Sequence, residues 1–240
     1  MELRIEVVLS PALYEGRLLK VHHTTVAVDV LRATSAICAA FKAGASEIVP
    51  LDSLERLKYY RELGFTLAAE RNGEKVQDAK CGNSPTEYLT MNLDGCRLAY
   101  STTNGTVSIL RAVDSERLYV GAFANLSALA ERIAAEQEID DIVVLCSGWK
   151  GDPSLEDTLF AGALVERLQQ SGRDVRLVND AAMMALALWN EAKDDVYAYC
   201  SKATHVHRLQ KLGYENDIRW AFEIDTCGIV PRYVDGRLIG

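Results

Sequence analysis

The sequence predicts an α/β fold, layered α/β/α with a mostly parallel sheet, held in a single domain over residues 1–240. Three observations predict it. Short apolar or β-branched runs alternate with segments of helical spacing almost from end to end. Helical segments open on serine, asparagine or aspartate and close on Gly44, Gly64, Gly172 and Gly213. No low-complexity linker marks a domain boundary.

The elements follow in order. Residues 3–9 read as the opening strand. Residues 25–28 form a second strand, β-branched and apolar as a buried strand is. Asp29 ends that run, and 33–42 takes up helical spacing through Ile37, Phe41 and several alanines. Residues 46–50 are a short strand. Asp52 is read as the cap of a helix over 54–63, with Glu55 as its capping-box partner. Residues 65–69 are a strand that runs into Glu70-Arg71-Asn72-Gly73, and 72–83 is a polar loop. Ser84-Pro85-Thr86-Glu87 starts a helix with a serine cap, proline at the first position and glutamate at the third.

Residues 96–101 are a strand, 102–106 a polar turn and 107–112 a helix. Residues 118–122 are a strand, and Asn125 caps a helix that runs to about 137. The apolar strand 142–146 leads through Ser-Gly-Trp-Lys-Gly-Asp-Pro into a helix capped by Ser154 and running to 170. Residues 174–178 are one more strand. Asn179 or Asp180 starts an alanine- and methionine-rich helix, and 196–212 reads as a single helix. In 218–239, Trp220, Phe222 and Ile224 alternate with polar residues and Asp235-Gly236 signals a turn, so this tail reads as strand or hairpin. Segments 25–44 and 142–162 share a strand, a polar rim and a helix containing Ala-Gly. An internal duplication and simple repetition of the fold class are both open readings.

Composition narrows the function. Hydrophobic residues make up 49%, enough for a substantial core. No apolar run approaches the roughly 20 residues that span a bilayer, and the opening MELRIEVVLS carries acids and an arginine and has no apolar h-region, so no signal peptide is expected. A cytoplasmic protein without membrane contact is expected. Acids outnumber bases, 34 to 26, and no lysine/arginine block stands out, which argues against a nucleic-acid binder. The six cysteines form no Cys-x-x-Cys pair, so reduced thiols are expected rather than zinc. Symmetric dimers are the commonest assembly, and a homodimer is the expected state.

Polar clusters recur at strand ends, where open α/β folds bind ligands. They are Asp29/Arg32, Glu70/Arg71, Asn83-Ser84, the turn Thr103-Asn104-Gly105-Thr106, Asn125, and the loop holding Gly148, Gly151, Ser154, Glu156 and Asp157. Each has a plain alternative. Asp29 caps a helix, Arg32 is solvated, and acids in a first helical turn answer the macrodipole. Taken together, the set pairs acids with arginines. Asp29, Glu70, Glu156 and Asp157 offer hard oxygen ligands suited to Mg²⁺. Arg32, Arg71, the hydroxyls of Thr34 and Ser35, and the loop groups suit phosphate. Asp29, Arg32, Arg71 and Asn104 are the candidate catalytic residues, and Asp29 is read as either metal ligand or nucleophile. His22 and His23 precede the second strand, at the wrong end. His205 and His207 are two apart on a predicted helix and do not share a face, so neither zinc nor a histidine nucleophile is expected. Walker A, Rossmann and Gly-x-Ser-x-Gly motifs are absent, and Asp29-Val30-Leu31 lacks the second aspartate of DxDx[TV] phosphatases.

The strings VDVLRATSAI, AERNG, CGNSP, STTNGT, GAFANLSAL and CSGWKGDPSLEDTLFAG, in that order, resemble the 2-phosphosulfolactate phosphatase family. One departure is Ala79-Lys80-Cys81 before Gly82-Asn83-Ser84-Pro85, where the family has phenylalanine and aspartate. The resemblance implies an α/β fold of the family's own type and a Mg²⁺-dependent enzyme of the coenzyme M biosynthesis kind. Its reaction would hydrolyse (2R)-2-phospho-3-sulfolactate to sulfolactate and inorganic phosphate. Such a substrate carries about four negative charges at neutral pH. An acidic protein must then concentrate positive charge locally, through Mg²⁺, arginines, Lys150 and helix N-termini. Two competing readings are a non-catalytic binding protein for an anionic phosphorylated metabolite and a phosphotransferase or isomerase on the same scaffold.

Overall fold

The computed structural model describes residues 2–14, 23–136 and 138–240. The chain opens with strand β1 (Leu3–Val8), β2 (Thr24–Val28), helix α1 (Ala33–Lys42), β3 (Glu47–Pro50), α2 (Glu55–Glu62) and β4 (Thr66–Arg71). It continues through β5 (Glu74–Lys75), α3 (Pro85–Leu89), β6 (Arg97–Ser101), α4 (Gly105–Arg111), β7 (Arg117–Gly121) and α5 (Leu126–Ala135). Then come β8 (Asp141–Cys146), α6 (Leu155–Gln170), β9 (Val175–Leu177), α7 (Asp180–Ala192), α8 (Val196–Cys200) and α9 (Thr204–Lys211). The chain closes with α10 (Glu215–Ala221) and a hairpin of β10 (Arg232–Val234) and β11 (Arg237–Ile239).

Among the described residues the strands form one sheet in the order β5-β4-β6-β3-β11-β10-β7-β2-β8-β1-β9. It holds two parallel sets. One is β4, β6 and β3, and the other is β7, β2, β8, β1 and β9. The β10–β11 hairpin joins them by antiparallel pairing to β7 on one side and β3 on the other. Three successive antiparallel pairings leave the two sets running in opposite senses.

The larger set is covered on both faces, as an all-parallel arrangement requires. Side chains alternate along each strand. Val26, Val28, Val144 and Cys146 pack with α5, α6 and α7, while Ala27, Val143 and Leu145 turn to the face of α1. Each large apolar side chain buried in this way contributes about 1.5–3 kcal/mol. β2 lies between β7 and β8, with Val28 level with both Gly121 and Cys146. That register sets Asp29 just beyond the aligned ends of three strands. Among the described residues, no helix is long and apolar enough to cross a membrane. All six cysteines are unpaired.

Several sequence expectations are corrected. The helix expected over 196–212 is two helices, α8 and α9, and Asp195 caps the first through Ala198 N–H. Part of the expected strand 218–239 is helix α10. Its Ile218 and Ala221 keep helical spacing on a buried face, which the Trp220–Phe222–Ile224 alternation masks. Asp52 makes no cap: Leu54 is the N-cap of α2, and Asp52 instead accepts from Arg56 at 3.4 Å. Asn125 turns its side chain back to Ala122 N–H, Val120 O and Ile229 O, away from α5. Ser154 holds the N-cap position of α6 with no side-chain cap bond. The loop over 72–83 contains the short strand β5. Helix α5 ends at Ala135, and residue 137, its expected end, lies outside the described residues, as does His22.

Candidate active site

Asp29 follows β2, and both of its backbone groups are tied into the turn. Its N–H donates to Thr34 Oγ1 at 3.1 Å, and its carbonyl accepts from Thr34 N–H at 2.9 Å. Its Oδ1 accepts from Ala33 N–H at 3.2 Å. Arg32, not Asp29, stands at the N-cap of α1, but this one Asp29 oxygen satisfies the first N–H of the helix. Among the described residues no hydrogen bond uses the other, Oδ2, in a cleft of about 80 Å³.

The carboxyl ends of both strand sets reach this cleft. Asp29 comes from β2, and Trp149 and Lys150 from the loop after β8. From the oppositely directed set come Glu70 at the end of β4, and Thr103 and Asn104 after β6. The convergence was expected along one edge of a single parallel sheet. The groups come instead from two sets that run in opposite senses, through the loops after β2 and β8 in one and β4 and β6 in the other. The fit is close at Gly105: a Cβ there would lie 2.3 Å from Ala33 Cβ and 2.8 Å from Asp29 Oδ2. Gly105→Ala is therefore expected to lower stability by about 1–3 kcal/mol and to cut turnover, read by urea melts and an activity assay on one preparation.

Around Asp29 the acids are buried. Glu70, Glu156 and Asp157 are each no more than 5% exposed. Glu70 accepts from Thr103 N–H at 3.2 Å, from Thr103 Oγ1 at 3.1 Å and from Gly73 N–H. Asp157 accepts from Val30 N–H at 2.8 Å and Gly148 N–H at 3.0 Å, pinning the loop after β2 to the loop after β8. Burial pushes the Asp29 carboxyl up to about 6; His205 and the Ala33 N–H oppose this, while Glu70 and Glu156 add to it. Burial, with Asp29 and Glu156 beside it, also holds Asp157 well above the usual carboxylate range.

The arginines are already engaged. Buried Arg32 donates to Asp217 Oδ2 at 3.0 Å and to Gly73 O at 2.7 Å, with its guanidinium 3.7 Å above the Tyr214 ring. Asp217 in turn accepts from Ser84 Oγ at 2.7 Å and from Thr86. Arg71 donates to Glu70 O, Ser101 O and Ser101 Oγ and does not line the cleft. Thr34 and Ser35 are tied to Asp29 N–H and Val30 O. Thr106 closes a reciprocal pair of bonds with Thr102. Ser84, Gly148, Gly151 and Ser154 also lie outside the lining. Asn83 remains in it, with Oδ1 accepting from Tyr100 and its amide nitrogen left as a donor.

His205 is the site residue that sequence reasoning passed over. It lines the cleft from α9, and its Nδ1 lies 2.9 Å from Glu156 Oε1. The ring stacks on Trp149 with centroids 5.5 Å apart and planes within 10°. Nδ1 is thereby committed to a buried acid and Nε2 is left for a ligand. His23 is buried at the start of β2 beside Tyr14, as its position predicts.

The profile of the family described as 2-phosphosulpholactate phosphatase matches residues 9–236. A relative from Thermotoga maritima, named "Probable 2-phosphosulfolactate phosphatase", is 35% identical over 216 residues, 90% of this chain and 91% of its own. Proteins of the same name from Prochlorococcus marinus and Thermosynechococcus vestitus are each 36% identical, over 87% and 89% of this chain and 88% and 90% of theirs. With a match this long, the chain belongs to the 2-phosphosulfolactate phosphatase family, a family of phosphoric monoester hydrolases.

Proposed function

We propose that the protein is a Mg²⁺-dependent phosphatase that hydrolyses (2R)-2-phospho-3-sulfolactate to (2R)-3-sulfolactate and inorganic phosphate in the cleft at Asp29. The observation that carries this reading is the pair of buried acids Asp29 and Glu70 in the lining of one cleft, with buried Glu156 and Asp157 outside the lining, one held to His205 and the other to Val30 and Gly148. Asp29 and Asp157 are both pushed up by burial and by the acids beside them, and such buried carboxylates call for a cation. Glu156 Oε2, buried and without a hydrogen-bond partner among the described residues, points the same way. Among the described residues no three His, Cys, Asp or Glu side chains form a metal cage. Mg²⁺ does not need one, because it keeps several waters and takes one or two carboxylates plus substrate phosphate. Asp29 through Oδ2 and Glu70 are the carboxylates that line the cleft. When bound, the ion would neutralise the phosphoryl oxygens and orient the attacking water.

The chain's own groups do the rest. Asn83 offers a donor to the phosphate ester. Arg32 holds the loops bearing Gly73 and Ser84 in place through Gly73 O and Asp217. A water oxygen bonds to phosphorus as the bond to the ester oxygen breaks. That departing oxygen takes its proton from His205 Nε2, with Glu156 fixing the ring, while one proton of the water stays on the released phosphate and the other passes to solvent, from which His205 is reprotonated.

Turnover in ¹⁸O-water tests the reading. Released phosphate should carry one oxygen from solvent. Tight binding without phosphate release would make the protein a binder, and unlabelled phosphoryl transfer to another acceptor would make it a transferase.

A further inference from the structure

The cleft's remaining positive charge sits on one wall. Trp149 and Lys150 come from the loop after β8, and Arg208 comes from α9 one turn beyond His205. The Lys150 ammonium lies 4.8 Å from the centre of the Trp149 ring, and the Arg208 guanidinium carbon lies 5.7 Å from it. Both residues line the cleft, and among the described residues neither pairs with a carboxylate. Arg32, the other arginine of the lining, is held by Asp217 and Gly73 O. Arg208 itself is aimed by a hydrogen bond to Asn72 O, at the tip of the β4–β5 turn. Lys150 takes a left-handed backbone, φ +55°, between Gly148 at +60° and Gly151 at +88°. Side chains other than glycine rarely adopt that conformation, and where one does so at a cleft it is a pointer to function.

An aromatic plate carrying two cations, one of them a planar fork, suits a second anionic group on the ligand. We propose that Lys150 and Arg208 hold the sulfonate of the substrate, and so select phosphate esters that carry a further strong-acid group over simpler ones. This rests on the phosphatase reading above and names the residues that set its specificity.

The test compares phosphosulfolactate with 2-phospholactate, which keeps the phosphate and carboxylate but lacks the sulfonate, on the parent, Lys150→Ala and Arg208→Ala. One lost charge-assisted contact corresponds to roughly a tenfold to hundredfold change. Each variant should lower kcat/KM for phosphosulfolactate by that factor, mainly through KM. Its loss on 2-phospholactate should be at least tenfold smaller. Lys150→Gly should raise KM as Lys150→Ala does, yet leave the melting temperature no lower than the parent's, because glycine accepts the positive φ. Equal losses on both substrates, or none on either, would overturn the proposal. If the parent turns over neither ester, the phosphatase reading fails separately. Calorimetry with 3-sulfolactate then decides: binding weakened about tenfold in both variants supports the sulfonate site, and unchanged binding removes it.

Discussion

Asp29→Asn is expected to lower kcat by at least about three orders of magnitude, roughly 4 kcal/mol of barrier, without weakening the fold. Asparagine keeps an oxygen for Ala33 N–H, so the start of α1 stays capped. It is a poor metal ligand and no nucleophile. Stability sharpens the test. The Asp29 carboxyl sits near 6 in the folded protein, above its ordinary 3.8. A raised acid favours folding fully below about 3.8, and that contribution is lost as pH rises through about 6. At pH 8 in chelator the parent therefore carries a buried charge that the variant lacks, and Asp29→Asn should be more stable by roughly 1–3 kcal/mol. A merely structural Asp29 gives a different result: turnover within a few-fold of the parent, because asparagine caps as well as aspartate.

The second large effect lies at His205. His205→Gln should reduce kcat on phosphosulfolactate by about 10²–10⁴-fold, the range for removing a general acid. The loss should shrink sharply on an aryl phosphate whose leaving oxygen needs no proton. A structural histidine would slow both esters alike. Glu156→Gln should cause a smaller loss, because the ring keeps a hydrogen-bond partner. Glu156→Ala would leave a cavity and a ring nitrogen without its partner inside the protein, costing about 1–3 kcal/mol of stability.

These two positions differ in how far the sequence reveals them. Asp29 is visible because its signal is local: a β-branched run, one acid, then helical spacing. Glu70 shows the same way at the end of β4, and Ser84 does so through the Ser-Pro-x-Glu start, where its Oγ accepts from Glu87 N–H at 3.1 Å. His205 is hidden because its partner is 49 residues away. Nothing in the local spacing of α9 shows that Glu156 and Trp149 wait on the other side. Asp217 is hidden twice, by its distance from Arg32 and by a tail whose alternation mimics a strand.

The arginines show a further limit. Sequence gives a guanidinium near a strand end but not which acceptor it finds first. Arg32 finds Asp217 and Arg71 finds backbone carbonyls, so the free positive charge of the cleft falls to Lys150 and Arg208. The layered α/β class was legible from the alternation of elements alone. The reversal between the two strand sets was not, because it depends on the short β10–β11 hairpin, far along the chain, pairing with strands on both sides.

The most direct measurement of the central claim is phosphate release from phosphosulfolactate by exhaustively chelated protein, followed by titration with Mg²⁺. The account predicts no turnover above background in chelator and saturable recovery as Mg²⁺ is added. Full turnover in chelator, unchanged by Mg²⁺, would contradict it.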